Sequence, residues 1–151
     1  NDAPTAFLRL ADMGVEPFLV GATVRGVVAQ RLVRRLCDAC ARPLSTALVP
    51  ADVLEEIERL GMDAANACFR EHDSAGCPHC NQTGYRGRTA IYELLSATDA
   101  LRAVLGQPSP GLRDLLDAAG KDFRSLRRDG LIKAARGVTS LDEVFATTRP
   151  D

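Results

Sequence analysis

Two C-x-x-C pairs, CDAC at residues 37–40 and CPHC at residues 77–80, decide how this sequence folds. A structural zinc ion takes four ligands in a tetrahedron, and two thiolates with two residues between them bind one ion from a single tight turn. Two such turns complete the coordination shell and leave no position for a reacting water. The sequence therefore predicts a structural Zn²⁺ site. Its predicted ligands are Cys37, Cys40, Cys77 and Cys80.

Thiol–disulfide exchange is the main rival chemistry for these cysteines. In such oxidoreductases a C-x-x-C motif opens a helix that follows a strand. Here the segment NQTGYRG (residues 81–87) follows CPHC, and its two glycines without an apolar stripe predict a turn. His72 and His79 are expected to lie at the surface or outside the ligand set. Cys68 is expected to be inert and partly buried, because free cysteines behave mostly as small hydrophobic residues.

Strands are predicted on either side of the cysteine pairs. Val24–Leu36 is apolar on both sides at Val27, Val28 and Ala29, which is typical of a strand buried on both faces. Thr89–Leu95 is rich in β-branched and aromatic residues and predicts a second strand. The cysteine segment is therefore expected to interrupt a pair of strands.

Helices are predicted in the rest of the chain. Residues from Pro4 to Gly14 have apolar side chains at helical spacing, and Pro50–Gly61 has a similar stripe that Asp52 is expected to cap. After the second strand, helices are predicted to begin near Thr98 or Asp99, near Leu112 and near Leu126. Ser140 and Glu143 have the S-x-x-E spacing of a capping box, in which each side chain accepts a backbone N–H at a helix start.

The composition excludes several classes of protein. The chain has 151 residues, of which 46% are hydrophobic and 26% charged, with a formal net charge of −1. This predicts a soluble globular protein, since no apolar run approaches the roughly 20 residues of a membrane-spanning helix and no secretory leader opens the sequence. A charge near zero also disfavours nucleic-acid binding, although basic residues flank both cysteine pairs.

No catalytic or cofactor-binding residue is predicted. The chain contains no G-x-x-x-x-G-K-[ST] loop, no G-x-G-x-x-G, no H-E-x-x-H and no G-x-S-x-G motif. Acidic pairs such as Glu55-Glu56 lie early in predicted helices, where the helix dipole favours negative charge. The polypeptide alone is therefore not expected to be an enzyme.

Five segments together resemble the C-terminal portion of the type II secretion and type IV pilus assembly ATPases. The order of the segments is that of the family, and the resemblance extends from residue 1 to about Thr148. The segments are NDAP (1–4), LADMGVEPFL (10–19), GVVAQRLVRRLC (26–37), CPHCNQTGYRGRTAIYELL (77–95) and RRDGLIKAARGVTSLDEV (127–144).

The resemblance implies an α/β fold that is a partial RecA-like edge with an inserted tetracysteine zinc module and a C-terminal helical subdomain. Residues 1–36 would then end the ATPase core, 37–80 would form the zinc-binding insertion, 81–95 would be the returning strand of the core, and 96–151 the helical subdomain. Asn1 and Asp2 would follow the family's histidine box. Because Asn1 is not a start methionine, an engineered or proteolytic boundary is expected there.

The resemblance also implies a function. The intact parent would be a hexameric ATPase that binds ATP and Mg²⁺ and powers type II protein secretion by assembling a pseudopilus. Without the Walker A and Walker B motifs upstream, this chain alone is expected to be inactive. Its partners would be neighbouring subunits and inner-membrane platform proteins, and its location cytoplasmic and peripheral to the inner membrane, with no membrane insertion. Arg31, Arg34, Arg86 and Arg88 fall in the matching motifs, and no role is assigned to them.

Two alternatives stay open from the residues. The first is a type IV pilus assembly ATPase, since both branches share these motifs. The second is a stand-alone zinc-ribbon module that binds nucleic acid, for which Tyr85 would be the main stacking residue. No nucleic acid is expected as a partner under the main interpretation. Because a strand buried on both faces needs neighbours, the isolated chain is expected to expose apolar surface and to self-associate.

Overall fold

The computed structural model describes residues 2–107, 109–120 and 123–148, so Asn1 lies outside the described residues. Helices and strands are mixed along the chain, which confirms the α/β class. The helices are α1 Ala3–Asp12, α2 Pro17–Thr23, α3 Ala51–Arg59, α4 Asp99–Leu105, α5 Leu112–Ala119, α6 Leu126–Ala135 and α7 Leu141–Thr147. The strands are β1 Gly26–Leu36, β2 Arg42–Pro43, β3 Arg70–Glu71 and β4 Tyr85–Ser96.

Both predicted strands are present, and they pair with each other as β1 and β4. They run antiparallel, because Ala97 N donates to Arg25 O (3.0 Å) near one end and Cys37 N donates to Gly84 O (3.0 Å) near the other. The second strand is longer than predicted at both ends and begins at Tyr85. A second small sheet pairs β2 with β3 inside the cysteine segment.

The chain divides into two compact units. The first unit comprises Asn1–Gln30 and Tyr92–Ser125, and the second comprises Arg31–Ile91 and Leu126–Asp151. The second unit contains both cysteine pairs together with α6 and α7. The four-part functional division with boundaries after residues 36, 80 and 95 stays a prediction.

Each unit has its own apolar core, formed where the predicted helical stripes meet. The buried core residues of the first unit are Ala3, Phe7, Val20, Leu95, Leu101, Leu105 and Leu115. Those of the second unit are Val49, Val53, Ile57, Ala64, Phe69, Leu131, Ala134, Ala135, Leu141 and Val144. In the second unit the apolar stripe of α3 therefore packs with α6 and α7.

The expectation that β1 is buried on both faces is wrong. Val28 is 63% exposed, whereas Val27 and Ala29 are partly buried. Among the described residues β1 has β4 as its sheet neighbour, and the face that carries Val28 stays open to solvent. An apolar strand centre indicates the capacity for burial on both faces, but burial needs a second layer.

Two smaller expectations are also corrected. Asp52 lies inside the first turn of α3, whose N-cap is Pro50 without a side-chain hydrogen bond, so Asp52 interacts with the helix dipole and does not cap the helix. Cys68 is exposed, because it lies in an extended stretch after a short 3₁₀ turn at Ala64–Asn66 and not on an apolar face.

A tertiary contact supports the start of α1. Ala3 N, at the N-terminus of this helix, donates to Glu93 Oε1 at 2.6 Å, and Glu93 is only 4% exposed. The first amides of a helix have no partner within the helix, and a carboxylate satisfies both the amide and the positive end of the helix dipole. Because Ala3 and Glu93 are 90 positions apart, no local sequence pattern predicts this contact.

Replacing Thr98 with Ala is expected to destabilise the first unit by about 1 kcal/mol. Thr98, one of the two residues at which the sequence predicted the start of this helix, is the N-cap of α4, and its Oγ1 accepts from Leu101 N at 3.2 Å. Urea denaturation measures the change. Thr23→Ala is the matched control, since the Thr23 hydroxyl donates to Leu19 O at 2.6 Å within a helical turn and its removal is expected to be nearly neutral. Equal losses in the two variants would contradict the cap assignment.

None of the helices among the described residues has both the length and the apolar composition needed to cross a bilayer.

Candidate metal centre

The four predicted ligands come together. Their sulfur atoms all lie within 4.8 Å of one another. The Sγ–Sγ distances are 3.8 Å for Cys37–Cys77, 3.9 Å for Cys40–Cys80 and 3.7 Å for Cys77–Cys80. Four thiolates bound at about 2.3 Å to one tetrahedral zinc lie about 3.8 Å apart. The cysteines are therefore close enough to bind one metal ion, and their spacing fits a tetrahedral thiolate site.

Each pair sits on a tight turn at the end of a strand. β1 runs directly into the first turn, in which Cys40 N and Ala41 N both donate to Cys37 O, at 3.2 and 2.9 Å. The second turn is the 3₁₀ segment Pro78–Cys80, which leads into β4. The bond from Cys37 N to Gly84 O joins the two turns, so the sheet fixes the distance between the pairs.

Backbone amides point at the sulfur of Cys80. Cys77 N and Gly84 N each donate to its Sγ at 3.2 Å. Burial alone would raise the pKa of Cys80, but these backbone hydrogen bonds outweigh it and lower the pKa to about 6. Amides that stabilise a thiolate in this way also stabilise a metal-bound sulfur.

The thiol of Cys40 has the opposite tendency. Burial, followed by hydrogen bonds with the neighbouring cysteines, raises its pKa to about 12. In the absence of a cation the cluster therefore keeps at least one thiol protonated at neutral pH. A soft divalent cation displaces that proton on binding, so the affinity of the site rises with pH.

Glycine is required next to the second turn. A Cβ on Gly76 would lie 2.3 Å from the carbonyl carbon of Gln82, and its φ of +63° is in the left-handed region. Asn81 and Gln82 also have positive φ, 53° and 62°, where the chain reverses after Cys80. The predicted turn over residues 81–87 is thus a left-handed reversal that is shorter than expected, since it ends at Gly84 and residues 85–87 belong to β4.

An ion pair supports the loop between the turns. Arg42 on β2 contacts Asp73 through two of its nitrogens, with Nη2–Oδ1 at 2.6 Å and Nε–Oδ2 at 3.1 Å. The hydrogen bond from Arg42, and then that from Ala75 N, lower the pKa of Asp73. Bidentate pairs of this kind fix orientation as well as charge. The pair holds the chain that precedes CPHC against the chain that follows CDAC.

A second polar cluster in this unit was not predicted. Glu143 accepts from the backbone N of Arg34 at 2.9 Å and from its Nε and Nη2 at 2.9 and 2.6 Å. The Arg34 guanidinium lies over the Tyr85 ring at 4.1 Å, and the Tyr85 hydroxyl contacts Ser140 Oγ at 2.8 Å. The His72 ring also stacks on the Tyr85 ring, with 5.0 Å between their centroids. The cluster ties β1 and β4 to the start of α7.

The predicted capping box is therefore only half formed. Ser140 caps α7 and accepts from Glu143 N at 3.2 Å, as expected. The Glu143 side chain, however, binds Arg34 and does not return to the N-cap. The S-x-x-E spacing was the available sequence signal, and it indicated a local role for a carboxylate that makes a tertiary contact.

The other candidate residues lie outside the sulfur cluster. His79 is exposed, and His72 is half-buried against Tyr85. Arg31 donates to Thr147 O, and Arg34 binds Glu143, whereas Arg86 and Arg88 are exposed on β4. Within the described ranges, the four cysteines are the group of three or more His, Cys, Asp or Glu side chains that could hold a metal ion.

Comparison with known proteins identifies the family. The profile described as "Type II/IV secretion system protein" matches residues 1–146. "Type IV pilus assembly ATPase PilB" of Thermus thermophilus is 42% identical over 151 residues, which is 98% of this chain and 16% of that protein. "Type II secretion system protein E" of Pectobacterium carotovorum is 39% identical over 100% of this chain and 28% of that protein. "Type II secretion system ATPase E" of Vibrio cholerae is 40% identical over 99% of this chain and 28% of that protein.

The chain thus spans between 16% and 28% of the length of these curated relatives. The family profile covers nearly all of it, including both cysteine pairs and α7 as far as residue 146. This chain belongs to the type II/IV secretion system protein family.

Proposed function

We propose that this chain is the C-terminal, zinc-containing part of a hexameric ATPase that powers type II protein secretion through pseudopilus assembly. Four thiolates at tetrahedral spacing, in a chain that matches secretion ATPases over nearly its whole length, carry this proposal. In the proposal Cys37, Cys40, Cys77 and Cys80 hold a structural Zn²⁺, which supplies a crosslink between the two turns and no reaction step.

The parts of the chain would have separate roles. Residues 1–36 and 81–95 would complete a RecA-like core, 37–80 would be the zinc module, and 96–151 a helical subdomain. The exposed apolar face at Val28 supports the assignment of β1 to a larger core, because an open apolar strand face is normally covered. Neighbouring subunits and platform proteins of the inner membrane would be the partners, reached from the cytoplasm.

ATP and Mg²⁺ would bind to the parent protein outside these residues. The sequence has no Walker A loop to hold the β- and γ-phosphates, so the chain alone is proposed to be inactive in hydrolysis. Its contribution would be contacts with neighbouring subunits and with partners of the motor, and not the chemistry of hydrolysis.

Assembly of type IV pili is the second candidate. Proteins named as type IV pilus assembly ATPases match this chain with identities of 39% and 42%, beside 39% and 40% for two of the type II secretion relatives. The two candidates share the motor chemistry and differ in the filament that is assembled.

A segment exchange is expected to restore secretion. The matching C-terminal segment of the Vibrio cholerae protein is replaced by this chain, and secretion is measured in cells that lack the native protein. We expect substantial secretion with the unmodified chain, loss with Cys37→Ser or Cys77→Ser, and no loss with Cys68→Ser, whose thiol is exposed and outside the cluster.

The same exchange in the Thermus thermophilus protein, with pilus assembly as the readout, tests the second candidate. Restored pili without restored secretion would favour it. If hexameric, soluble exchange proteins restored neither function, the proposed motor role would be wrong. ATP hydrolysis by the isolated chain that chelation abolished would also contradict the assignment of roles.

A further inference from the structure

A basic cavity lies beside the first cysteine turn. It has a volume of about 380 Å³, and its lining includes Arg35, Arg86 and His79 together with Asp38, Cys37 and Leu36, the last residue of β1. Volumes of roughly 300–1,000 Å³ are typical of pockets for small ligands. Because Leu36 and Cys37 are only 2% and 1% exposed, the base of this cavity is part of the packed structure.

Arg35 on β1 and Arg86 on β4 lie opposite each other on adjacent strands, on the same face of the sheet. The bond from Cys37 N to Gly84 O sets the antiparallel register at this end, and stepping two residues along each strand places Arg35 opposite Arg86. Directly opposite residues project to the same face with Cβ atoms about 4.5–5.5 Å apart, and like charges in such a pair repel. The repulsion disappears if an anion lies between the two guanidinium groups.

Neither arginine has a strong partner within the described ranges. Arg35 is 3.9 Å from Asp38, whose side chain is 80% exposed and which also pairs with Arg70 at 3.4 Å. The Arg86 side chain, which is exposed on β4, makes no ion pair or hydrogen bond with the side chains of the described residues. Other arginines of this unit are paired more closely, as Arg34 and Arg42 are with carboxylates at 2.6 Å.

We infer that this cavity binds a small phosphate-bearing anion, with Arg35 and Arg86 as its two guanidinium ligands. The planar guanidinium forks match the geometry of phosphate oxygens and bind them through paired hydrogen bonds. The volume leaves room for an organic group on the phosphate, whose source is either free phosphate or a phosphate monoester. The site does not depend on the proposed motor function, because it rests on the sheet register and on the cavity alone.

A rival role for these arginines is to balance the net charge of −2 that a zinc ion with four thiolates would carry. Other groups already interact with the sulfur atoms: Cys77 N and Gly84 N donate to Cys80, and Arg42 interacts electrostatically with Cys40. Charge balance also does not require an open cavity in front of the guanidinium groups. The structure therefore favours the anion site.

Titration of the zinc-loaded chain of 151 residues with inorganic phosphate, followed by calorimetry at low salt, tests the inference. We expect saturable binding with a roughly millimolar or lower dissociation constant. Arg35→Gln and Arg86→Gln are each expected to weaken it about tenfold or more, since each removes a charged hydrogen-bond donor. AMP is titrated beside phosphate, and tighter binding of AMP indicates a monoester as the ligand.

Two variants make the test specific. Arg113→Gln removes an exposed arginine of α5 and is expected to leave phosphate affinity unchanged. Asp38→Asn removes the carboxylate from the cavity and is expected to strengthen phosphate binding several-fold. Circular dichroism confirms that each variant is folded.

The inference is overturned if phosphate and AMP show no saturable binding, or if Arg113→Gln weakens binding as much as Arg86→Gln. It is also overturned if Arg35→Gln and Arg86→Gln leave phosphate affinity unchanged and only speed the loss of zinc to a chelator, since that result assigns the arginines to charge balance.

Discussion

Removal of the metal is expected to unfold the two turns that carry the cysteine pairs. A structural zinc bound to thiolates contributes an apparent ~10–16 kcal/mol at neutral pH, whereas a whole domain is stable by only about 5–15 kcal/mol. Apart from the Cys37 N–Gly84 O bond and the Arg42–Asp73 ion pair, little else holds the turns, because β2 and β3 inside the cysteine segment have only two residues each. The loss of folded structure should be confined to the region of the turns, since α3 keeps its apolar contacts with α6 and α7 through Val53 and Ile57.

Metal analysis and limited proteolysis measure this effect. We expect one zinc per chain before chelation, and rapid tryptic cleavage after Arg70 and Arg86 only when the metal has been removed. Cys37→Ser and Cys77→Ser should lose the zinc and become equally sensitive to protease. Cys68→Ser is the matched control and should keep both properties, because its side chain is exposed and outside the sulfur cluster.

A folded chain without metal would contradict the zinc proposal. If Cys77 and Cys80 in that chain also reduced insulin disulfides, the thiol–disulfide interpretation would replace it. The short 3₁₀ turn at Pro78–Cys80 argues against this outcome, since no helix follows the cysteine pair to stabilise a reactive thiolate.

The approach of the four cysteines was predictable because the information is local. Each C-x-x-C pair closes within one turn, and the requirement for four ligands joins the pairs whatever lies between them. The two long strands and most helices were predictable for the same reason, since their periodicity and their caps, such as Thr98 and Ser140, lie within a few residues. The two-residue strands β2 and β3 are too short to show such a pattern and were not predicted. Where the signal is local, the sequence was sufficient.

The features that the sequence did not reveal depend on distant residues. Burial of β1 at Val28 depends on what covers its open face, and the N-terminus of α1 depends on Glu93, which is 90 positions away. Glu143 is 109 positions from Arg34, and its spacing from Ser140 offered a sufficient local explanation. Sequence patterns identify what a side chain can do nearby, and tertiary structure decides which partner it takes.

Glu143→Gln is expected to destabilise the second unit by about 2–3 kcal/mol at pH 7. The Glu143 side chain is 9% exposed, and the Arg34 side chain that it holds is 55% exposed, so the loss should fall below that of a fully buried ion pair. The substitution removes the charge that accepts from the backbone and the guanidinium of Arg34. Asp142→Asn, on the exposed side of the same helix turn, is the matched control and should cost less than about 1 kcal/mol.

The difference in the free energy of unfolding between wild type and Glu143→Gln should grow steadily as the pH rises from acid to neutral. Burial alone would raise the pKa of Glu143, but the hydrogen bonds and charge of Arg34 outweigh it and lower the pKa below its ordinary value. A carboxylate with a lowered pKa in the folded state stabilises the fold above its pKa in the unfolded chain, about 4.3, and this stabilisation is lost as the pH falls through the folded value. The difference should therefore be largest at neutral pH and shrink below about pH 4.3.

Urea denaturation in zinc-containing buffers from pH 7 downward measures this difference. Loss of zinc at low pH lowers the stability of wild type and Glu143→Gln alike, so only the gap between their free energies of unfolding reports on Glu143. A gap that stays constant with pH, or one that Asp142→Asn reproduces, would show that the contact between β1 and α7 does not depend on the charge of Glu143. A gap that closes on acidification would show that one carboxylate joins the strand that carries the cysteine turn to the last described helix of the chain.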